Sequence, residues 1–331
     1  MQVAEHPAPA SRPDYTACSG CTLCATVCPV WRDTRDLRMS PEGRCKALQH
    51  GAGIADIARP LESCTLCGAC EPVCPENIDL LGSVRQLRQE LPDSPNRTAL
   101  RARLQDAMRE DAPRDAGIGT HRALLVPGAG LRSQTALLAS TLRLLGAEVA
   151  EAISDDVSLA FDSGMKVPPS VIEKFLKPLR SAGRIVVADG SLVAPLRALL
   201  PQATLCTLGE SLSRLPACRD QLRPGDLYVI DCRAYHADYE RLVLYYHRLR
   251  EEHGIQLNLD LQRIAVPASA PGLSQRLGES PLDDAAHVRW LLKGRKVKRV
   301  IAESTEDLAA IRQHSNLPAM HIAELAVLNG H

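Results

Sequence analysis

The sequence predicts an α+β multidomain protein: an α-helical, cysteine-bound domain first, then a duplicated α/β domain built on parallel sheets. Three observations predict it. Nine of the twelve cysteines lie between Cys18 and Cys74. The segments between and after those cysteines carry helical rather than strand patterns. From His121 onward, short apolar runs alternate with stretches whose apolar residues recur every three or four positions. That alternation makes parallel sheets with helices on their faces.

The bulk composition narrows the function classes. Lys plus Arg and Asp plus Glu each number 39 in 331 residues, so no net basic field favours nucleic acid or anionic lipid. Two Phe, two Trp and six Tyr make a poor stacking platform for bases. The opening MQVAEHPAPASRPDYTA has no apolar core of a secretory signal, and no run of about 18 apolar residues suggests a membrane span. The expected location is cytoplasmic, with any membrane association made through a partner. Thiols stay reduced there, so a dense cysteine cluster reads as metal ligation rather than as disulfides.

After a flexible N-terminus over 1–14, the region 15–90 carries two matching runs. CSGCTLCATVCP places Cys18, Cys21, Cys24 and Cys28 before Pro29; CTLCGACEPVCP places Cys64, Cys67, Cys70 and Cys74 before Pro75. Both fit C-x2-C-x2-C-x3-C-P, the spacing of two-cluster ferredoxins. Two-residue spacers let one tight turn reach three corners of a compact cluster. Small residues such as Gly20 and Gly68 let the backbone come close, so that its N–H groups can bond to cluster sulfurs. The fourth cysteine lies one helical turn on and points elsewhere, and the following proline is expected to turn the chain. The pattern predicts two [4Fe–4S] clusters with crossed ligands: Cys18, Cys21, Cys24 and Cys74 for cluster I, and Cys64, Cys67, Cys70 and Cys28 for cluster II. Four-thiolate zinc is the alternative, but zinc requires neither the third CxxC step nor the C-x3-C-P ending. Cys45, in SPEGRCKALQ, lacks the spacing and reads as a free, buried thiol.

WRDTRDL, KALQHGAGIADIA, LLGSVRQLRQEL and RTALRARLQDAMRED suit helices, interrupted at Pro92 and Pro95. The first three make the region 15–90 an α-helical two-cluster domain, and the last lies in a helical linker over 91–120. The first α/β repeat, 121–222, opens with the strand RALLVPGAG and its Gly-rich tight turn, then a helix over 131–146 and the short strand AEVAEA. GRIVVADG, a helix from Leu192 to Leu200 and TLCTLGE complete it. The second repeat, 223–331, reads as the strand GDLYVIDCRAYH, the helix DYERLVLYYHRLREEHG and the strand QRIAVPASA. A unit over 298–328 then overlays the one over 183–215. The match is one of pattern, at a period of roughly 100 residues. PGAG lacks the G-x-G-x-x-G of a dinucleotide site.

Taken together, the double cysteine run, SPEGR at 40–44 and the doubled α/β half resemble the iron–sulfur subunits of the glycolate oxidase, lactate-utilisation, anaerobic glycerol-3-phosphate dehydrogenase and heterodisulfide reductase group. In that group each C-terminal repeat usually carries cysteines, including a CCG motif, that bind another metal centre. Here Asp162, Ser163 and Gly164 stand where CCG falls. Ser191 and Ala194 replace the paired cysteines, and DCRAYH matches the H-D-P-C-H element only loosely, with Tyr235 near the cysteine's place and His236 near the histidine's. Cys206, Cys218 and Cys232 are lone and far apart in sequence. The departure implies a C-terminal half without metal, serving as scaffold and docking surface.

The resemblance implies an electron-transfer subunit of an oxidoreductase complex. Its donor is a flavoprotein partner, such as a 2-hydroxy-acid dehydrogenase, with the flavin on that partner and not on this chain. Its acceptor is a quinone-linked membrane subunit or a soluble carrier. Two other readings stand beside this one: a non-catalytic assembly or redox-sensing subunit with structural clusters, and a heterodisulfide-reductase-like subunit, which the missing CCG disfavours. No side chain reads as a catalytic acid, base or nucleophile; His236 and His247 lie on or near one helix without a ligating pattern.

Overall fold

The structure, a computed structural model, describes residues 14–110, 123–150, 153–261, 263–269, 272–277 and 282–329. It is mixed helix and sheet, with an N-terminal helical part followed by two parallel sheets.

Helices Pro29–Thr34, Pro41–Gln49, Ala58–Ser63 and Leu80–Gln89 surround the cysteines, and Pro95–Glu110 leads away from them. The SPEGR stretch has a local physical reason. Ser40 Oγ accepts from the Gly43 N–H at 3.0 Å, and Pro41 occupies the first turn, where its missing N–H costs nothing. A Cβ on Gly43 would sit 2.0 Å from the Leu37 carbonyl oxygen. Arg44 then points inward, only 5% exposed. Pro29 does not turn the chain as its position after Cys28 suggests; it starts the helix Pro29–Thr34, with Cys28 as the residue that caps it.

The first sheet holds β1 (Ala123–Val126), β2 (Ala147–Val149), β3 (Arg184–Val187) and β4 (Leu205–Thr207), parallel and in the order β2-β1-β3-β4. The second begins with β5 (Asp226–Val229) and β6 (Gln256–Leu257). An antiparallel pair follows, β7 (Leu259–Asp260) with β8 (Ile264–Ala265). The sheet is completed by β9 (Arg299–Ala302) and β10 (Ala319–His321), in the order β6-β5-β9-β10. The order is thus the same in both sheets, strand for strand. Alternate side chains divide the core. Leu125 and Val186 of the first sheet share one buried cluster with Tyr228 and Ile301 of the second. The intervening Leu124, Val126, Ile185 and Val187 pack outward on their own helices, as do Leu227, Val229 and Val300.

Three strand expectations are corrected. GDLYVIDCRAYH is strand only to Val229; DCRAYH starts the helix Cys232–Ala237, because Asp231 accepts from the N–H groups of Arg233 and Ala234 and so caps it. QRIAVPASA contributes only β8, and β6 takes the place beside β5. Gly128 and Gly130 lie in the short helix Gly128–Arg132, not in a simple tight turn. No helix among the described residues is long and apolar enough to cross a membrane.

Candidate metal centre

The two cysteine loops repeat one backbone conformation. The residues immediately before and after the second cysteine have positive φ in both: Gly20 at 83° and Thr22 at 63° around Cys21, Leu66 at 53° and Gly68 at 81° around Cys67. Left-handed backbone costs a non-glycine residue roughly 1–2 kcal/mol. Thr22 and Leu66 therefore hold a conformation chosen by the loop rather than by their own preference. Such turns aim backbone N–H groups inward, which suits anionic sulfur.

The eight cysteines sort into two adjoining cavities. Cys18, Cys21, Cys24 and Cys74 line the first, where Cys45 and Glu42 join them. Cys28, Cys64, Cys67 and Cys70 line the second, beside Arg44. Each cavity thus takes three cysteines from one run and the last from the other. Among the described residues, no three His, Cys, Asp or Glu side chains are placed to hold a single metal ion. Cys45 is 5% exposed and lies against Cys18 and Cys24, closer to the first cavity than its spacing indicates.

Burial sets the electrostatics. Desolvation pushes the Cys24 thiol up to about 11 and that of Cys28 up to about 12, and raises those of Cys67 and Cys70. The same effect takes Cys45 to about 12. Protein surroundings alone therefore leave these sulfurs protonated at neutral pH, and a bound cation is what would hold them as thiolates. Arg44 is the built-in counter-charge. Its Nη2 lies 3.8 Å from Cys64 Sγ, and its Nη1 donates to the Met39 carbonyl at 3.0 Å. Burial works against its charge, but Cys64, Cys28 and Cys70 in their thiolate form outweigh burial and raise its pKa.

The loops are clamped by different parts of the chain. At the first, Lys46 Nζ and Gln49 Nε2 both donate to the Cys18 carbonyl, at 2.8 and 3.0 Å. At the second, Arg88 donates to the carbonyls of Leu61 and Cys64, Arg233 to that of Thr65 at 2.6 Å, and His236 Nδ1–H to that of Cys67 at 2.7 Å. The Ala265 N–H donates to His236 Nε2. A carbonyl on one nitrogen and an N–H on the other define a neutral imidazole, and burial holds its pKa down to about 4. Arg233 also bridges to Asp162 at 2.9 Å. The Asp162 carboxylate therefore anchors the clamp on the second loop.

Sequence reasoning missed Arg88 and Arg233, and read His236 only as a histidine without a ligating pattern, not as a clamp on the second loop. Their partners lie 24, 168 and 169 residues away in sequence, and no local pattern carries that signal. It also left Cys232 as a lone residue; that side chain is buried and lines, with Cys67, a cavity between the two sheets. Cys206 and Cys218 stay apart from the eight, on β4 and in the helix Pro216–Arg219. His247 is at the surface, 3.1 Å from Glu251.

Residues 14–78 match the family model of a 4Fe-4S dicluster domain, a minor part of the 331 residues. That match supports an iron–sulfur protein with an electron-transfer role. No curated protein and no solved structure matches the chain. The donor set fits such a group: two cavities each lined by four cysteines of the runs, the first also by Cys45, with a buried guanidinium between sulfur and backbone.

Proposed function

We propose that this chain relays single electrons through two [4Fe–4S] clusters, cluster I on Cys18, Cys21, Cys24 and Cys74, and cluster II on Cys64, Cys67, Cys70 and Cys28. The sorting of the cysteines into two cavities, each completed by the distal cysteine of the other run, carries this reading. When bound, a cubane cluster supplies a site that takes up and gives back one electron. The chain's own residues prepare the sites. Arg44 offsets thiolate charge, Ile78 and Leu80 wall the first cavity, and Val30 and Leu81 wall the second. Limited water access and nearby positive charge both tune potential.

The outer end of the relay is the first loop. Cys21 and Thr22 are exposed, and Leu23 is 48% exposed beside them. We read this edge as the approach of a flavoprotein partner, a dehydrogenase of a 2-hydroxy acid or a similar small substrate, as the resemblance implies. A quinone-linked or soluble carrier is the other terminus. The chain then works in the cytoplasm, reaching the inner membrane only through a partner. The shared strand order of the two sheets supports an internal duplication, with repeats over 121–222 and 223–331.

The test is metal analysis followed by ligand exchange. Anaerobically prepared protein is expected to hold about eight irons and eight sulfides, four of each per cluster; zinc in their place overturns the reading. Cys74→Ser is expected to remove or alter the electron paramagnetic resonance signal of the cluster held mainly by the first run. An effect confined to the cluster held by Cys64, Cys67 and Cys70 refutes the crossed assignment.

A further inference from the structure

The carboxyl ends of strands from both sheets open onto one cavity of about 430 Å³. Its lining follows β1 at Pro127–Leu131, β3 at Ala188–Gly190, β5 at Asp231–Arg233 and β9 at Glu303–Asp307, with His321 at the end of β10. Ligands of open parallel sheets bind at this end, where loops diverge and helices begin. Thr65 and Cys67 of the second cysteine loop form part of the same wall. The volume suits a small molecule.

The charge on the walls selects its class. Inside stand Asp189, Asp231, Glu303 and Asp307, with Asp155, Asp156 and Glu306 also lining the cavity, against two guanidinium groups, Arg103 and Arg233. Arg233 is committed to Asp162 and the Thr65 carbonyl, and Arg103 is exposed. Two carboxylates keep an oxygen for a guest. Asp307 is 4% exposed and takes the Ala268 N–H, the Ser269 N–H and the Ser269 hydroxyl all on Oδ1. Asp231 likewise takes the N–H groups of Arg233 and Ala234 on Oδ1. No donor among the described residues reaches Oδ2 of either. Burial, and then the charge of Asp307, push the Asp231 acid up to about 8, so it holds a proton at neutral pH until a cation joins it. An anionic guest would add to that repulsion. A divalent ion is disfavoured as well, since no three ligating side chains among the described residues converge on one point. An elongated organic cation, whose N–H groups reach separated carboxylates, meets both conditions.

We propose that this cavity binds a small organic amine or guanidine, which lies against the wall formed by Cys67. The second part rests on the reading of Cys67 as a cluster II ligand. It makes the C-terminal half a binding unit rather than a scaffold alone.

Calorimetric titration of the full, anaerobically prepared chain tests it, with agmatine and cadaverine as probes and glutarate and lactate as anionic controls. Saturable binding of at least one amine and none of the anions is expected. Asp307→Asn and Asp231→Asn should each weaken it about tenfold or more, the worth of one hydrogen bond to a charged group. Asparagine keeps both the acceptor and the capping geometry, so folding is preserved; Glu306→Gln, exposed, gives a second variant. Anion binding equal to that of the amines, or amine binding indifferent to all three variants, overturns the site. The signal of cluster II, recognised by its loss in Cys70→Ser, should shift on amine addition while that of cluster I does not. A silent cluster II in a chain that binds amine overturns the contact with Cys67. Calorimetry needs no electron transfer, so a failed relay and a failed site are separable.

Discussion

The two cysteine loops share spacing and backbone conformation but not surroundings. The loop of Cys18, Cys21 and Cys24 lies at the surface, held by Lys46 and Gln49 of the adjacent helix. The loop of Cys64, Cys67 and Cys70 is enclosed, and three of its carbonyls are bonded by Arg88, Arg233 and His236. The last two come from the helix that follows β5. Identical ligand spacing therefore fixes what is bound, whereas burial and hydrogen bonding decide how it behaves. The first site opens to solvent at Cys21, Thr22 and Leu23. The second is built into the α/β half, and anything that disturbs that half is expected to reach it.

Removing Arg88 breaks the comparison most severely. Its side chain is fully buried and donates to the Leu61, Cys64 and Asp162 carbonyls. Burial pulls its guanidinium down to about 10, still charged at neutral pH. Arg88→Met takes a donor from each of those carbonyls, at a cost of about 3 kcal/mol or more. Iron at the second site should be lost to a chelator far faster than iron at the first, read by the two resonance signals. Equal loss from both would mean that the loops are not held independently.

Arg233 and Asp162 sharpen the comparison with a smaller effect. The pair is 2.9 Å apart, and the carboxylate side is 3% exposed. Asp162→Asn alone takes one carboxylate partner from a buried guanidinium, and Arg233→Gln alone takes a guanidinium partner from a buried carboxylate. A double-mutant cycle on thermal stability is expected to give a coupling of about 2 kcal/mol. A coupling near zero would place the Arg233 contribution in its other contacts, the bond to the Thr65 carbonyl among them.

What could be read in the sequence and what could not divide along the same line. Cysteine spacing, strand–helix alternation and the Gly254 stop of the helix Tyr239–His253 are local signals, and each is visible in a few residues. DCRAYH was legible too: an aspartate followed by Arg233 and Ala234 is a helix cap, but the preceding LYVI run masks it by continuing the apolar pattern. Pro29 after Cys28 carries two local meanings, chain turn and helix start, and only packing chooses between them. The Arg233 and His236 clamps on the second loop depend on contacts between segments more than 160 residues apart, which one sequence does not encode in any window.

Two glycines give the finest test, because one strain is common to both and one is not. Gly20 and Gly68 have φ of +83° and +81°, so alanine pays the same left-handed cost of roughly 1–2 kcal/mol at either position. The walls differ. A Cβ on Gly20 meets Lys46 Cε at 2.8 Å, the far end of a side chain that can swing aside. A Cβ on Gly68 meets His236 Cβ at 2.7 Å, and that histidine is fixed at both ring nitrogens. Gly68→Ala should therefore cost about 1 kcal/mol more than Gly20→Ala, measured by thermal unfolding of the anaerobic protein. The excess should shrink in a His236→Gly background, which removes that Cβ. An equal cost for the two alanines, or an excess that survives removal of His236, would show that the α/β half does not press on the second loop.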